Sequence, residues 1–259
     1  MSETIQYSVE NNVGKIVFSR PEVYNSFNRE MAMAVQQALD DCKSNDEVRA
    51  VYLVGAGKAF CAGQDLAEVV EATDLPIEKI VAEHYNPIIQ RIRTIEKPVI
   101  AAINGVAAGA GANIALACDI TIAAESAAFI QAFSKIGLVP DSGGTFFLPR
   151  IVGFQKASAL MMLGDKVPAS EAAAMNMIYR CVPDDDFVEV SWETAIKLSK
   201  MPTKGLGYTK RLLNDSFTND LDAQLSAEDN YQAQAGRTED YDEGVAAFLE
   251  KRKPNFKGK

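Results

Sequence analysis

The stretch "VIAAINGVAAGAGANIAL", residues 99–116, decides how the chain is read. Its first five residues are apolar without alternation, the pattern of a parallel strand covered on both faces. Asn104 and Gly105 end that strand. The run "AAGAGANIALAC" (107–118) that follows is small and helix-prone. A second place, "VYLVGAGKAFCAGQDL" (51–66), has the same layout of buried strand, glycine-rich loop and helix start. In both, small residues leave backbone N–H groups bare where a helix begins, and such groups can point at an anionic or polarised oxygen. Two such loops brought together would supply two donors to one carbonyl oxygen, an oxyanion hole. The alternative is that the small residues only let strands and helices pack closely. Neither loop is a nucleotide fingerprint: "GAGAN" misses the GxGxxG spacing, and no GK[ST] follows either loop.

Outward from this centre, "IQYSVE" and "VGKIVFS" flank the turn signal "NNVG" and are expected to form a hairpin. "SRPEVYNSFN" (19–28) is a loop, and Asn28 is placed to cap a helix from Arg29 whose apolar face is Met31, Val35, Ala38, Leu39 and Cys42. "RAVYLVGAG" (49–57), "PVIAAING" (98–105), "DITIAAES" (119–126) and "MIYRCV" (177–182) are expected strands. Residues 75–97 are expected to be helical up to Pro98, and "SGGTFFLPRIVG" and "FQKASALMMLG" to form two further helices. From about residue 186 the pattern is helical. The reading is an α/β protein, with a core over 1–200 and a helical C-terminal region over 201–259. No low-complexity tract or tandem sequence repeat stands out.

The totals exclude several classes. The 259 residues are 47% hydrophobic, enough for a sizeable core. A net charge of −9 argues against a nucleic-acid partner. No apolar run is long enough to span a membrane, and "MSETIQYSVE" lacks the basic start and apolar run of a secretory signal, so a cytoplasmic location is expected. The four cysteines (42, 61, 118 and 181) form no CxxC pair and are expected to be reduced, buried thiols. The one histidine, His84, is expected to pack or to lie on a helix surface, and no His/Cys cluster offers a metal site.

One ionisable side chain, Asp141, stands in "GLVPDSGGT" (137–145). It could cap a helix beginning near Ser142 and Gly143, or it could be the acid–base group of an active site. The tail "KRKPNFKGK" is either a frayed terminus or a clamp for phosphates, with Phe256 free to stack on a base.

Four long segments, "GAGKAFCAGQDL", "KPVIAAINGVAAGAGANIALACDI", "AAFIQAFSKIGLVPDSGGTFFLPRIVG" and "FLEKRKPNFKGK", together resemble the enoyl-CoA hydratase/isomerase (crotonase) family. The match runs over nearly the whole chain. "HYNP", "AFSKIGLVPDSGGT" and "YQAQAGRTEDYDEGVAAFL" make it most similar to isomerases of aryl-epoxide thioesters in that family. The resemblance implies a spiral of ββα repeats carrying a helical trimerisation region, assembled as a trimer or a dimer of trimers. It implies an acyl-CoA thioester substrate and no separate cofactor, coenzyme A being part of the substrate. It assigns the oxyanion donors to the backbone N–H groups of Gln64 and Ala110, the latter preceded by Gly109. It places a CoA groove along Ala62, Gly63, Asp65 and Leu66, with Arg20, Tyr24 and Ser26 nearby. Phe256 and Lys257 of a neighbouring subunit would reach the nucleotide end.

Hydratases of this family split water with two glutamates. Here Asn113 and Phe133 stand at those positions, and a carboxylate stands instead at Asp141, where isomerase relatives carry their acid–base group. The expected function is therefore acyl-CoA isomerisation: a 3-enoyl-CoA double-bond shift, or ring expansion of ring-1,2-epoxyphenylacetyl-CoA to its oxepin. The alternatives are a hydratase, an aryl-CoA dehalogenase using Asp141 as nucleophile with a histidine base, and a non-catalytic CoA-binding protein. A serine peptidase of a related fold using Ser142 is a more distant one. Asn113 would pair passively or reach into the pocket, and Asp65 would brace its own loop.

Overall fold

The computed structural model describes residues 3–71 and 76–259. Two antiparallel strands open the chain, β1 (Ile5–Glu10) and β2 (Val13–Phe18), joined through Asn11 and Asn12, both left-handed. Helix α1 (Arg29–Ser44) follows, with the Asn28 side chain accepting from Met31 N–H at 2.9 Å. Its expected apolar face is buried.

Three units of one design come next. β3 (Ala50–Gly55) leads to β4 (Ala59–Cys61) and α2 (Leu66–Glu71). After α3 (Ile77–Ile80), a π-helical turn over Val81–Tyr85 and α4 (Asn86–Thr94), β5 (Val99–Ile103) leads to β6 (Val106–Ala108) and α5 (Ala110–Ala117). β7 (Ile120–Ala124) leads to β8 (Ala128–Ile130), a 3-10 turn over Ala132–Ile136 and α6 (Gly144–Val152). The first strand of each unit enters a six-stranded sheet of order β1-β2-β3-β5-β7-β10, and the second enters a four-stranded sheet of order β4-β6-β8-β9. Within each sheet the strands of successive units pair in parallel. This is the ββα spiral that the resemblance implies. Leu75, where the expected second helix begins, lies outside the described residues.

The chain continues through α7 (Phe154–Leu163), β9 (Lys166–Pro168), α8 (Ala169–Ala174), β10 (Arg180–Val182) and α9 (Asp184–Ser199). The expected strand at 177–182 is shorter than the apolar run, because Met177 and Ile178 are buried in the turn leading to it. α9 lies on the large sheet through Phe187, Ser191 and Ala195, with Ser191 Oγ 2.8 Å from Tyr52 Oη. Helices α10 (Thr203–Asp215), α11 (Leu221–Ala235) and α12 (Glu239–Glu250) complete the chain. α10 is anchored by Lys210, whose buried ammonium donates to Asp119 Oδ2 at 2.7 Å and to Ile92 O at 2.7 Å. Among the described residues no helix is long and apolar enough to cross a membrane.

The spiral is tight where its units meet. Asn104, at the end of β5, donates to Gly57 O and accepts from Gly55 N–H, tying the β5–β6 turn to the β3–β4 turn. α5 runs directly over β4: a methyl group on Gly111 would sit 2.4 Å from Cys61 O and 2.7 Å from Cys61 Cβ. Backbone cannot yield as a flexible side chain can. Gly111→Ala is therefore expected to cost about 2–3 kcal/mol of stability, read as a lowered urea midpoint with an unchanged slope.

Candidate active site

The loop after β4 pairs with the segment before α1. Phe27 N–H donates to Gly63 O at 2.7 Å, and Asp65 N–H donates to Phe27 O at 2.9 Å. Those two bonds bracket Gln64 in extended backbone, where successive peptide groups face opposite ways. The N–H of Gln64 is thereby turned away from Phe27. Gly63, at φ +96°, is pressed against the start of α5; a methyl group on it would lie 3.1 Å from Ala108 O and 3.6 Å from Ala110 N. Gly109, at φ +52° and ψ −125°, turns the chain from β6 into α5 in a conformation that a Cβ would make costly. No side chain caps α5, so the Ala110 N–H is one of the donors that a helix start leaves open. Among the described residues, neither Gln64 N–H nor Ala110 N–H has a hydrogen-bond partner. Two donors on adjoining backbone can grip one oxygen.

The Gln64 side chain is held from both ends. Its Oε1 accepts from Tyr85 Oη at 2.8 Å and its Nε2 donates to Glu68 Oε2 at 3.0 Å. Tyr85 is fully buried in the π-helical turn, a kind of irregularity often found at functional sites. Sequence reasoning missed this tyrosine as a site residue; "HYNP" was its only local signal. Its phenol is pushed far above its usual range, first by burial and then by the charges of Cys61, Asp141, Glu68 and Asp65.

Asp141 is bound to α5. Its carbonyl accepts from Asn113 Nδ2 at 2.9 Å and from Gly144 N–H at 2.9 Å. Asn113 is fully buried, and its Oδ1 accepts from Gln131 Nε2 at 2.8 Å, a partner the sequence did not reveal. The side chain of Asp141 does not cap the next helix. α6 begins at Gly144, its cap is Gly143 at φ +73°, and no side chain caps it. The left-handed pair Ser142–Gly143 aims the carboxylate elsewhere, and Ser142 Oγ donates to Asp141 Oδ1 at 2.7 Å. Burial raises the Asp141 pKa above the ordinary aspartate value; the Ser142 hydroxyl and the residue's own N–H oppose that in part. Desolvation thus outweighs both hydrogen bonds. Phe133 lies beside the turn into α5: a methyl group on Gly109 would meet its ring at 3.8 Å.

The first loop is braced to the second. Arg20 pairs with Asp65 at 2.8 Å and donates to Ser26 O at 2.6 Å. Asp65 also accepts from Ala67 N–H at the start of α2. Tyr24 O accepts from Ala62 N–H, while the Tyr24 and Leu66 side chains are exposed. His84 is fully buried, its Nε2 facing Arg29 at 3.3 Å, and Ser142 donates to a carboxylate rather than to a histidine. A Ser–His nucleophile is therefore not assembled at this turn.

Phe256 and Lys257 lie elsewhere in the chain. Arg49, just before β3, donates to Phe256 O, and Asp240 accepts from the N–H groups of Lys257 and Gly258. The tail is thus pinned to α12 rather than frayed. The glycine loops open from the other end of β3, roughly 20 Å away for a six-residue strand.

An enoyl-CoA hydratase/isomerase family model matches residues 8–259. A 1,2-epoxyphenylacetyl-CoA isomerase of Escherichia coli (strain K12) is 46% identical, with all of both chains covered. A Rhodobacter capsulatus protein named "Probable enoyl-CoA hydratase" is 44% identical over 99% of this chain and 98% of its own. The crystal structure of an enoyl-CoA hydratase from Bacillus anthracis superposes with a TM-score of 0.94 at 32% identity, covering 99% of this chain and 100% of that one.

A carboxyl with a raised pKa keeps, when folded, a proton that the unfolded chain has already released. Ionising Asp141 therefore costs stability as pH rises from the ordinary carboxylate range through its folded pKa, and the cost is constant above that. Asp141→Asn is expected to melt at a higher temperature than the native protein at neutral pH. Melting curves taken at successively lower pH should show that gain shrinking.

Proposed function

The chain belongs to the enoyl-CoA hydratase/isomerase family, and from that premise we propose that it isomerises acyl-CoA thioesters with Asp141 as its one acid–base group. The observation that carries this reading is a single half-buried carboxylate, hydrogen-bonded through its backbone to α5, with amide and phenyl side chains at Asn113 and Phe133.

The chemistry follows from where charge goes. The thioester oxygen accepts from Gln64 N–H and Ala110 N–H, so electron density can move onto it. Each such donor contributes on the scale of about 3 kcal/mol in other enzymes. Carbon 2 of a 3-enoyl-CoA then becomes acidic enough for Asp141 to take its proton. The C–H electron pair spreads over the dienolate, and Asp141 returns the proton at carbon 4, leaving the double bond at the 2-position. One carboxylate serves both transfers, and nothing is added or lost. The same group can mediate proton movement during expansion of an aryl-epoxide thioester to an oxepin, the substrate class named by the 46% identical relative. The raised pKa of Asp141 brings it closer to working pH, as a group that both takes and returns a proton requires.

The assembly belongs to the same proposal. α10–α12 expose Leu213, Leu221, Leu225, Phe248 and Leu249, more apolar surface than a lone helical region normally shows water. A trimer, or two stacked trimers, would cover it and would bring the Phe256–Lys257 tail of one copy toward the CoA site of another.

The test is to offer a 3-enoyl-CoA and ring-1,2-epoxyphenylacetyl-CoA side by side. Products of unchanged mass are expected from at least one of them, with Asp141→Asn lowering turnover about 10²–10⁴-fold and leaving acyl-CoA affinity nearly intact. Hydration of a 2-enoyl-CoA, seen as a mass gain of one water, should be slower by a similar factor. Rapid hydration would favour the hydratase reading. Acyl-CoA binding without proton exchange at carbon 2 would favour a non-catalytic one.

A further inference from the structure

Asp141 is held at three points. Asn113 Nδ2 and Gly144 N–H fix its carbonyl, and Ser142 Oγ takes one oxygen of its carboxylate. Ser142 is 1% exposed and sits at φ +52°, in the left-handed region that residues with a Cβ avoid. Strain of that kind persists where the surroundings impose it, often at a working site. A glycine would relieve it, and glycine already follows at 143. What a serine adds there is its hydroxyl, and that hydroxyl is donated to Oδ1. No side chain among the described residues donates to Oδ2.

We propose that Ser142 is a positioning residue for the acid–base step: by holding Oδ1 it fixes the plane of the carboxyl group and leaves Oδ2 as the oxygen that exchanges protons with substrate. The proposal rests on the reading of Asp141 given above. A proton that leaves one carbon and returns to another must be carried by an atom within reach of both, and a freely turning carboxyl would present its two oxygens by chance. The bond also favours the ionised form, which opens the reaction. Burial pushes Asp141 up and the Ser142 hydroxyl is the larger of the two opposing influences. Tyr85, in the π-helical turn, feels Asp141 together with Cys61, Asp65 and Glu68. Lys135, in the 3-10 turn, is exposed, and Arg150, in α6, lies over the Phe146 ring.

The experiment compares Ser142→Ala, Ser142→Gly and Asp141→Asn in the full chain, following turnover of a 3-enoyl-CoA against pH. Both serine variants are expected to lose about tenfold in kcat with KM little changed, and the acid limb of kcat/KM should move to higher pH. Ser142→Gly keeps the left-handed turn without strain, so it separates the hydroxyl from the backbone. If Ser142→Gly behaves as the native enzyme, or if neither variant moves the acid limb, the proposal is overturned while a dead Asp141→Asn leaves the reading of Asp141 standing. Full activity in Asp141→Asn would overturn both.

Discussion

The site depends on one close approach of backbone to backbone. α5 can lie on β4 because Gly111 leaves room for the carbonyl and side chain of Cys61. The same approach brings Gly63 against Ala110. Glycines at 63 and 109 then take left-handed backbone that allows the two loops to turn at the point of contact. A Cβ at any of these places would separate two peptide N–H groups that belong to segments nearly fifty residues apart. Donors held this way by backbone packing need not reorganise to meet an acceptor.

The surroundings of Asp141 decide which way its acidity shifts. A lone carboxylate ahead of a helix would ordinarily be stabilised in its charged form. Here the helix is capped by a glycine and the carboxylate turns away from it, so burial decides the direction of its shift. Asn113 and Gln131 form a buried amide pair that grips the main chain of Asp141 without adding a second charge. The two amides put no ionisable group beside the main chain of Asp141.

Much of the large sheet was legible in residue order. The hairpin, the Asn28 cap, the buried face of α1 and the continuous apolar strands β3, β5 and β7 all follow from period and punctuation. The small sheet was not. β4, β6, β8 and β9 are three residues each, too short for alternation to mark them. β4, β6 and β8 exist because parallel neighbours from successive turns of the spiral complete their hydrogen bonds, and β9 closes the sheet antiparallel to β8. The repeat of the fold is likewise absent from the letters, since each unit fills a different place in the core.

The sequence by itself determined the family resemblance, the two glycine loops, the carboxylate of the 137–145 stretch and the uncharged residues at 113 and 133, because each is a matter of residue type at a fixed position. Only the tertiary structure decided that Asp141 is not a helix cap, that Tyr85 and Glu68 hold Gln64, and that the basic tail is pinned at the far end of β3. Those facts rest on contacts between residues distant in the chain. They are set by how the spiral packs, and no local pattern encodes them.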